Sequence, residues 1–296
     1  MSDHVVIVGP GRMGLALGAA LRQARAVDRL LFIGRALEPP PHPLFDPGSG
    51  EDGDEPAAEY RAGPVPLPIG SSVLILAVPD SALAEVAWDL AQAGPSPAGC
   101  AALHLSGAVS PDVLAPLHGA GYAVGSMHPL QSVADPWLSG DRLFGATFAL
   151  AGEPAAIAAA RRLVSELGGA ALVIPHARRA HYHAAAVLAS NYIVAVLGAA
   201  VRLLGEAGVD EDDAVRALVP LVRGTLANVE HLGIRGSLTG PIARGDVDTV
   251  RLHLARLSAE DRSLYSALGF EALRLARAAG LDERRADELE SLLNAG

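Results

Sequence analysis

Lysine is missing from this chain altogether: every one of the 23 basic residues counted as lysine plus arginine is an arginine. Schiff-base chemistry is thereby excluded, as is a lysine acting as general acid. Any proton donor must be His, Tyr, a carboxylic acid or water. Cysteine is nearly absent too. Cys100 stands alone, which rules out an intramolecular disulfide and a multi-cysteine metal site and leaves a small buried hydrophobe; no metal is expected. Aromatic residues make up only 4% of a sequence that is 50% hydrophobic, so the core is expected to pack Ala, Val and Leu. A formal net charge of −10 leaves no basic stripe to neutralise phosphates, and no nucleic-acid partner is expected. No charged n-region with an apolar stretch and cleavage site precedes the first strand pattern, so a cytoplasmic protein is expected.

What is present begins at the N-terminus. The apolar run Val5 to Val8 empties into Gly9-Pro10-Gly11-Arg12-Met13-Gly14, and a helix-prone stretch, Leu15 to Leu21, follows at once. Gly9 permits the tight strand-to-helix turn, Gly11 lets the backbone approach a pyrophosphate, and Gly14 lets the helix pack against the strand. The helix then directs its unpaired N–H groups and positive dipole end at the phosphates. A glycine loop between a strand and a helix is the context that gives this motif its meaning.

The second strand, Arg29 to Arg35, ends about where a ribose-binding acid would stand, roughly 20 residues after the glycines. Gly34 and Arg35 occupy that place instead. A guanidinium there pairs a 2′-phosphate, with Arg12 as a second contact, and the expected cofactor is NADP(H) rather than NAD(H). The plainer reading is that Arg35 opens an exposed loop.

Beyond this point the chain organises into two parts. Residues 36–64 are poor in apolar residues and rich in breakers, and are expected to form a flexible surface insertion without a catalytic role. Strand patterns at Val73 to Val78, Cys100 to Leu105, Tyr122 to Ser126, Thr147 to Ala151 and Ala171 to Ile174 alternate with helical ones at Ser81 to Ala93 and Pro154 to Leu167. The fold class expected is α/β, an N-terminal doubly wound Rossmann-type sheet followed by an all-α C-terminal domain. The boundary is set at Pro175: residues 1–175 form the NADP-binding domain and 176–296 a helical substrate and dimerisation domain. Helical patterns cover roughly 177–206, 210–232, 247–280 with a break, and 282–293, with Asp210 and Asp282 as caps and Gly208 and Gly280 as stops. The run Ala184 to Val201 is apolar, but Ser190, Asn191 and Tyr192 interrupt it and its many alanines make it weakly hydrophobic, so no membrane span is expected. A helix apolar on most faces belongs where domains or subunits bury it, and a homodimer is expected.

With the glycine loop, His128-Pro129-Leu130-Gln131, Tyr182-His183 with Asn191, and Leu238 to Asp246 in hand, nearly the whole chain resembles a family. These are the Rossmann-like proteins with a C-terminal helical domain catalogued as DUF2520. They are similar in layout to pyrroline-carboxylate reductases, prephenate dehydrogenases, β-hydroxyacid dehydrogenases and ketopantoate reductases. The resemblance implies an NADP-dependent oxidoreductase, and some members of this type are understood to reduce ketopantoate. One departure stands out. The β-hydroxyacid and better-known ketopantoate enzymes carry a lysine four residues before an asparagine; if Asn191 matches that asparagine, the lysine position holds Val187. One further turn back stands His183, placed to take over as proton donor.

Ser106 and His128 both sit at strand C-termini, where an open α/β sheet places its chemistry. His128 is a candidate proton donor, and Ser106 with Asn191 are candidates for orienting a substrate carbonyl. The alternative is turn chemistry, since Ser-Gly is a turn dipeptide and a residue before proline is held extended. His183 and Asn191, eight apart, are expected on one helix face, lining a cleft or satisfied by an interhelical hydrogen bond. Thr239, Arg244 and Asp246 are candidates for binding a substrate carboxylate, unless Arg and Asp pair locally. Val78 and Pro79 are expected along the cofactor. The function expected is NADPH-dependent reduction of a small anionic carbonyl compound, led by ketopantoate to pantoate. Imine reduction, deazaflavin-linked NADP reduction and a non-catalytic NADP(H) redox sensor are the rivals.

Overall fold

The computed structural model describes residues 3–50, 57–135, 137 and 140–295. Backbone contacts divide it into two compact units, Met1–Asn191 and Tyr192–Gly296. The first unit thus extends past Pro175 to take in one more helix.

In the first unit a single eight-stranded sheet runs in the order β3-β2-β1-β4-β5-β6-β7-β8. The strands are β1 (His4–Val8), β2 (Arg29–Gly34), β3 (Glu59–Ala62), β4 (Val73–Leu76), β5 (Ala101–His104), β6 (Ala123–Pro129), β7 (Thr147–Gly152) and β8 (Ala170–Val173). All neighbours pair parallel except β6 and β7. The helices are α1 (Arg12–Gln23), α2 (Leu83–Ala93), α3 (Ala115–Gly119), α4 (Pro154–Glu166) and α5 (Arg179–Ala189). The central strands are mostly apolar because both faces are covered. Along β1, Val5 and Ile7 join the core that includes Leu17 and Leu21 of α1 and Leu163 of α4. Val6 and Val8 join the opposite core, with Leu90 of α2 and Leu117 of α3. The strand order reverses direction between β1 and β4, the topological switch point at which such sheets open a crevice.

The expected surface insertion is only partly that, and residues 51–56 of it lie outside the described residues. Glu59–Ala62 adds β3 to the sheet edge, with Phe32 opposite Tyr60 and Gly34 opposite Ala62. Leu44 and Ala58 are buried in the first core. Pairing with β2 overrides a local sequence that reads as a loop.

In the second unit, α6 (Asn191–Glu206, its first residue belonging to the first unit), α7 (Glu211–Ser237), α8 (Gly240–Arg244), α9 (Val247–Arg256), α10 (Ala259–Ala278) and α11 (Glu283–Asn294) follow one another. Asp210 and Asp282 cap α7 and α11 as their sequence positions suggest. Its core gathers Ile242, Val250, Leu254, Leu273, Leu289 and Leu293. The helix expected over 177–206 is two: Ser190, at φ −126 and ψ −75, leaves the helical region and separates α5 from α6. By length and composition His176–Glu206 meets the measure of a membrane span, with hydropathy 2.0. Its first half is nevertheless held in the α/β unit by a buried, hydrogen-bonded arginine, Arg179.

Candidate functional site

The glycine loop folds as its spacing requires. Gly9 has φ +100, and a Cβ there would stand 2.6 Å from the carbonyl oxygen of Ala77. A Cβ at Gly14 would overlap the carbonyl oxygen of Gly9, so α1 packs directly on the loop. Gly11 differs: a Cβ there would meet nothing within 4 Å. The backbone at Gly11 is thus open, which leaves room for a ligand to approach it closely. The N-terminus of α1 has no side-chain cap and no acid in its first turn. Its free N–H groups and dipole are therefore available to an anion.

This loop forms one wall of a cleft of about 1100 Å³ at the β1/β4 switch point. Gly9, Pro10, Gly11, Gly34, Arg35, Val78 and Pro79 line it. Gly14 lies beneath it, buried. Arg12 is exposed at the first position of α1, and Met13 packs against the core; neither lines the cleft. Arg35 is exposed and has no carboxylate partner among the described residues. Three acids also line the cleft, Glu38, Glu85 and Asp89. Glu38, just past the end of β2, is an acid the sequence reading passed over. The lining fits a dinucleotide, with the glycine loop able to hold a pyrophosphate and the Arg35 guanidinium, free among the described residues, at the end of β2.

A second constellation stands at the C-terminal ends of β5 and β6. Nδ1 of His128 lies 2.5 Å from the Tyr182 hydroxyl, and the His128 and His183 rings meet edge to face at 6.2 Å. Gly107 forms the floor beneath both histidines; a Cβ there would lie 2.7 Å from His183 and 2.9 Å from His128. Burial, helped by His183 and Arg179, pulls the His128 pKa down to about 4, while Asp80 opposes this. Burial pushes the Tyr182 hydroxyl up to about 12, against the pull of Arg179. At neutral pH both groups of the pair are therefore uncharged. Val78 and Pro79 of the cleft lead directly into Asp80, whose charge acts on His128 and Arg179.

Arg179 organises this end of the sheet, and its role is not readable from sequence, where it is one arginine among many. Only 4% exposed, it donates to the Ser126 hydroxyl at 2.8 Å and to the Ser106 carbonyl at 2.5 Å. Its Nε is buried without a partner among the described residues. His104, fully buried, accepts from the Ser106 N–H at 3.2 Å, and burial lowers its pKa to about 4.

Among the expected site residues, His128 and His183 are thus brought together. The Ser106 hydroxyl accepts from the N–H groups of Ala108 and Val109, the turn chemistry its Ser-Gly context suggests. Asn191 is exposed at the start of α6. The break at Ser190 means that its eight-residue spacing from His183 does not place the two on one helix face. In the second unit, Thr239 precedes α8, and Asp246 caps α9 by accepting from the Thr249 N–H and hydroxyl at 3.1 and 2.7 Å. Hydrogen bonds from Thr249, and then the charges of Arg244 and Arg285, lower the Asp246 pKa. Arg244 itself is exposed.

An eight-stranded, mostly parallel sheet with a glycine loop at its switch point defines a Rossmann-like protein, and a Rossmann-like domain matches residues 63–129. The chain belongs to the DUF2520 family: that domain of unknown function matches residues 146–293, half of the sequence, from β7 through the helical unit. No functionally curated protein matches it. Among solved structures it is similar to a Bacteroides fragilis protein provisionally described as an NADP oxidoreductase, at 20% identity and TM-score 0.65, covering 94% of this chain and 98% of that one. It is also similar to Plasmodium falciparum pyrroline carboxylate reductase, solved with NADP bound, at 11% identity and TM-score 0.58 over 98% of each chain. A reductive aminase from Aspergillus terreus, solved with NADPH and ethyl-5-oxohexanoate, matches at 18% identity and TM-score 0.53 over 100% of this chain and 93% of that one. At such identities the likeness is one of fold.

Proposed function

We propose that the chain is an NADP(H)-dependent reductase acting on a small carbonyl compound or the imine derived from one. The observation that carries this reading is the Gly11 backbone, open beside the uncapped α1 and facing a cleft lined by Arg35. When bound, NADPH supplies the hydride that reduces the substrate carbon. The chain supplies orientation and a proton. The Tyr182 hydroxyl, held against His128 Nδ1, gives its proton to the substrate oxygen or nitrogen as charge develops there. Neutral His128, in the tautomer with its proton on Nδ1, then donates to the tyrosinate oxygen, which regains its proton from solvent. The finer reading is ketopantoate to pantoate. Reduction of a C=N bond is the second reading, favoured by the fold shared with a pyrroline carboxylate reductase and a reductive aminase.

Two measurements test this. Titration with NADPH and NADH is expected to show NADPH binding more tightly by roughly 1–3 kcal/mol, the worth of one charge-assisted contact. Arg35→Ala should erase most of that difference, and Glu38→Gln should leave it standing. Equal affinities in the unmutated protein would sink the assignment. NADPH oxidation is then followed against a panel of 2-keto acids led by ketopantoate and a panel of cyclic imines. Binding without turnover on either panel would point to a redox sensor instead.

We also infer a homodimer. Val194 of α6 is 71% exposed and Leu221 of α7 is 65% exposed, with Tyr192, Val196 and Leu232 exposed beside them in the sequence of these helices. Helices this apolar are covered in solution, and a second copy covers them with closed symmetry. Sedimentation at micromolar concentration should give twice the 30.3 kDa chain mass; a monomer refutes the dimer.

A further inference from the structure

The geometry points to Tyr60 as the residue that sets dinucleotide choice, by wedging a carboxylate out of position 34 and holding the Arg35 backbone at the cleft. This inference rests on the dinucleotide reading above and goes beyond it, because Tyr60 belongs to a segment that sequence reading dismissed as surface.

Three observations support it. Tyr60 sits opposite Phe32 in the parallel β2/β3 pair, so its side chain shares a face with Gly34, two residues along β2. A Cβ at position 34 would overlap the Tyr60 hydroxyl and lie 2.9 and 3.0 Å from Cε2 and Cζ of its ring. Gly34 does not have a positive φ, so space and not backbone conformation demands glycine there. That is the place where an acid would take the ribose hydroxyls of NAD, and a side chain can enter it only by displacing the Tyr60 ring from its bond to Ala36.

The same hydroxyl does a second job. It donates to the Ala36 carbonyl at 2.7 Å, while the Gly34 carbonyl accepts from the Gly63 N–H at 2.8 Å. Arg35 therefore lies between two anchored carbonyls, with its side chain at the cleft. The wedge is itself braced. Phe45 packs edge-on against both Phe32, at 5.3 Å between centroids, and Tyr60, at 5.8 Å. Both Tyr60 and Arg35 line the cleft.

Binding of NADPH and NADH to four proteins tests the inference, with folding followed by thermal melts. The wild type should prefer NADPH. Gly34→Asp alone should weaken both dinucleotides at least tenfold without a switch, because the carboxylate meets the Tyr60 ring. Adding Tyr60→Ala should open the space and give at least a tenfold preference for NADH. Tyr60→Phe keeps the ring but releases Ala36, and should lower the NADPH-to-NADH affinity ratio three- to tenfold with NADH affinity unchanged. If the Gly34→Asp proteins fail to fold, Tyr60→Phe decides. Tight NADH binding by Gly34→Asp alone, or an unchanged ratio in Tyr60→Phe, overturns the inference while leaving the dinucleotide reading intact. A wild type that binds neither nucleotide overturns that reading itself.

Discussion

Tyr182→Phe is expected to lower turnover by ~10²–10⁴ while NADPH binds as before. The hydroxyl lies 2.5 Å from His128 Nδ1 and is uncharged well beyond neutral pH, since burial raises its pKa to about 12. It is thus a proton donor across the whole working range. An imidazolium on His128 is not. With the His128 pKa pulled down to about 4, the charged form falls away as pH rises through that value, and at pH 7 about one molecule in a thousand retains it. A histidine donor read from the sequence implies an ionisation at about 6.5, or shifted by its surroundings; the burial of His128 shifts it out of the neutral range. The pH–rate profile should therefore be flat from about pH 6 to 9. His128→Gln should cost less than Tyr182→Phe, because it removes the support and not the donor. A neutral-range ionisation that disappears in His183→Gln would transfer the role to His183. Full activity in Tyr182→Phe would end the tyrosine mechanism.

The acid side of that profile needs a control. His104 and His128 both have folded pKa values near 4, below the reference of about 6.5. Their contribution to stability is complete above 6.5 and is lost as pH falls toward 4, because the unfolded chain takes up protons first. Circular dichroism across the same range separates lost fold from lost chemistry.

The glycine loop was legible because its requirements are local: a turn at Gly9 and a close approach at Gly14 are written into three residues and their flanks. The caps at Asp210 and Asp282 were legible for the same reason. The strand Glu59–Ala62 was not, since the alternation of Glu-Tyr-Arg-Ala spans only four residues and stands among breakers, and pairing with the free edge of β2 makes it a strand. The break at Ser190 was hidden inside a continuous helical pattern. Spacing arguments that crossed it, His183 with Asn191 above all, inherited the error. Of the polar cluster, His128 and His183 announce themselves as histidines at a strand end and on a helix. Tyr182 was legible as a tyrosine able to donate in their place, but not as the partner of His128.

Arg179→Met is expected to destabilise the protein by about 2–4 kcal/mol, the cost of stripping a buried carbonyl and hydroxyl of a charged donor. The side chain is 4% exposed and ties the Ser106 carbonyl, just past β5, to the Ser126 hydroxyl on β6. A purely structural strut would show that loss alone. Arg179 also acts on the titrating pair: its charge helps lower the His128 pKa and holds down that of Tyr182. Removing the cation should therefore move the His128 ionisation upward from about 4, toward the neutral range, and move the Tyr182 ionisation further up. The acid limb of the pH–rate profile would enter the accessible window from below. Arg179→Lys separates the two roles. An ammonium keeps the charge, so the limbs should return toward their wild-type places. It lacks the planar fork that reaches both acceptors, so most of the stability loss should remain. Urea denaturation gives the first quantity and the pH–rate profile the second. If Arg179→Met leaves the acid limb where it was, the guanidinium only braces the loop, and the neutrality of His128 is the work of burial and His183 alone.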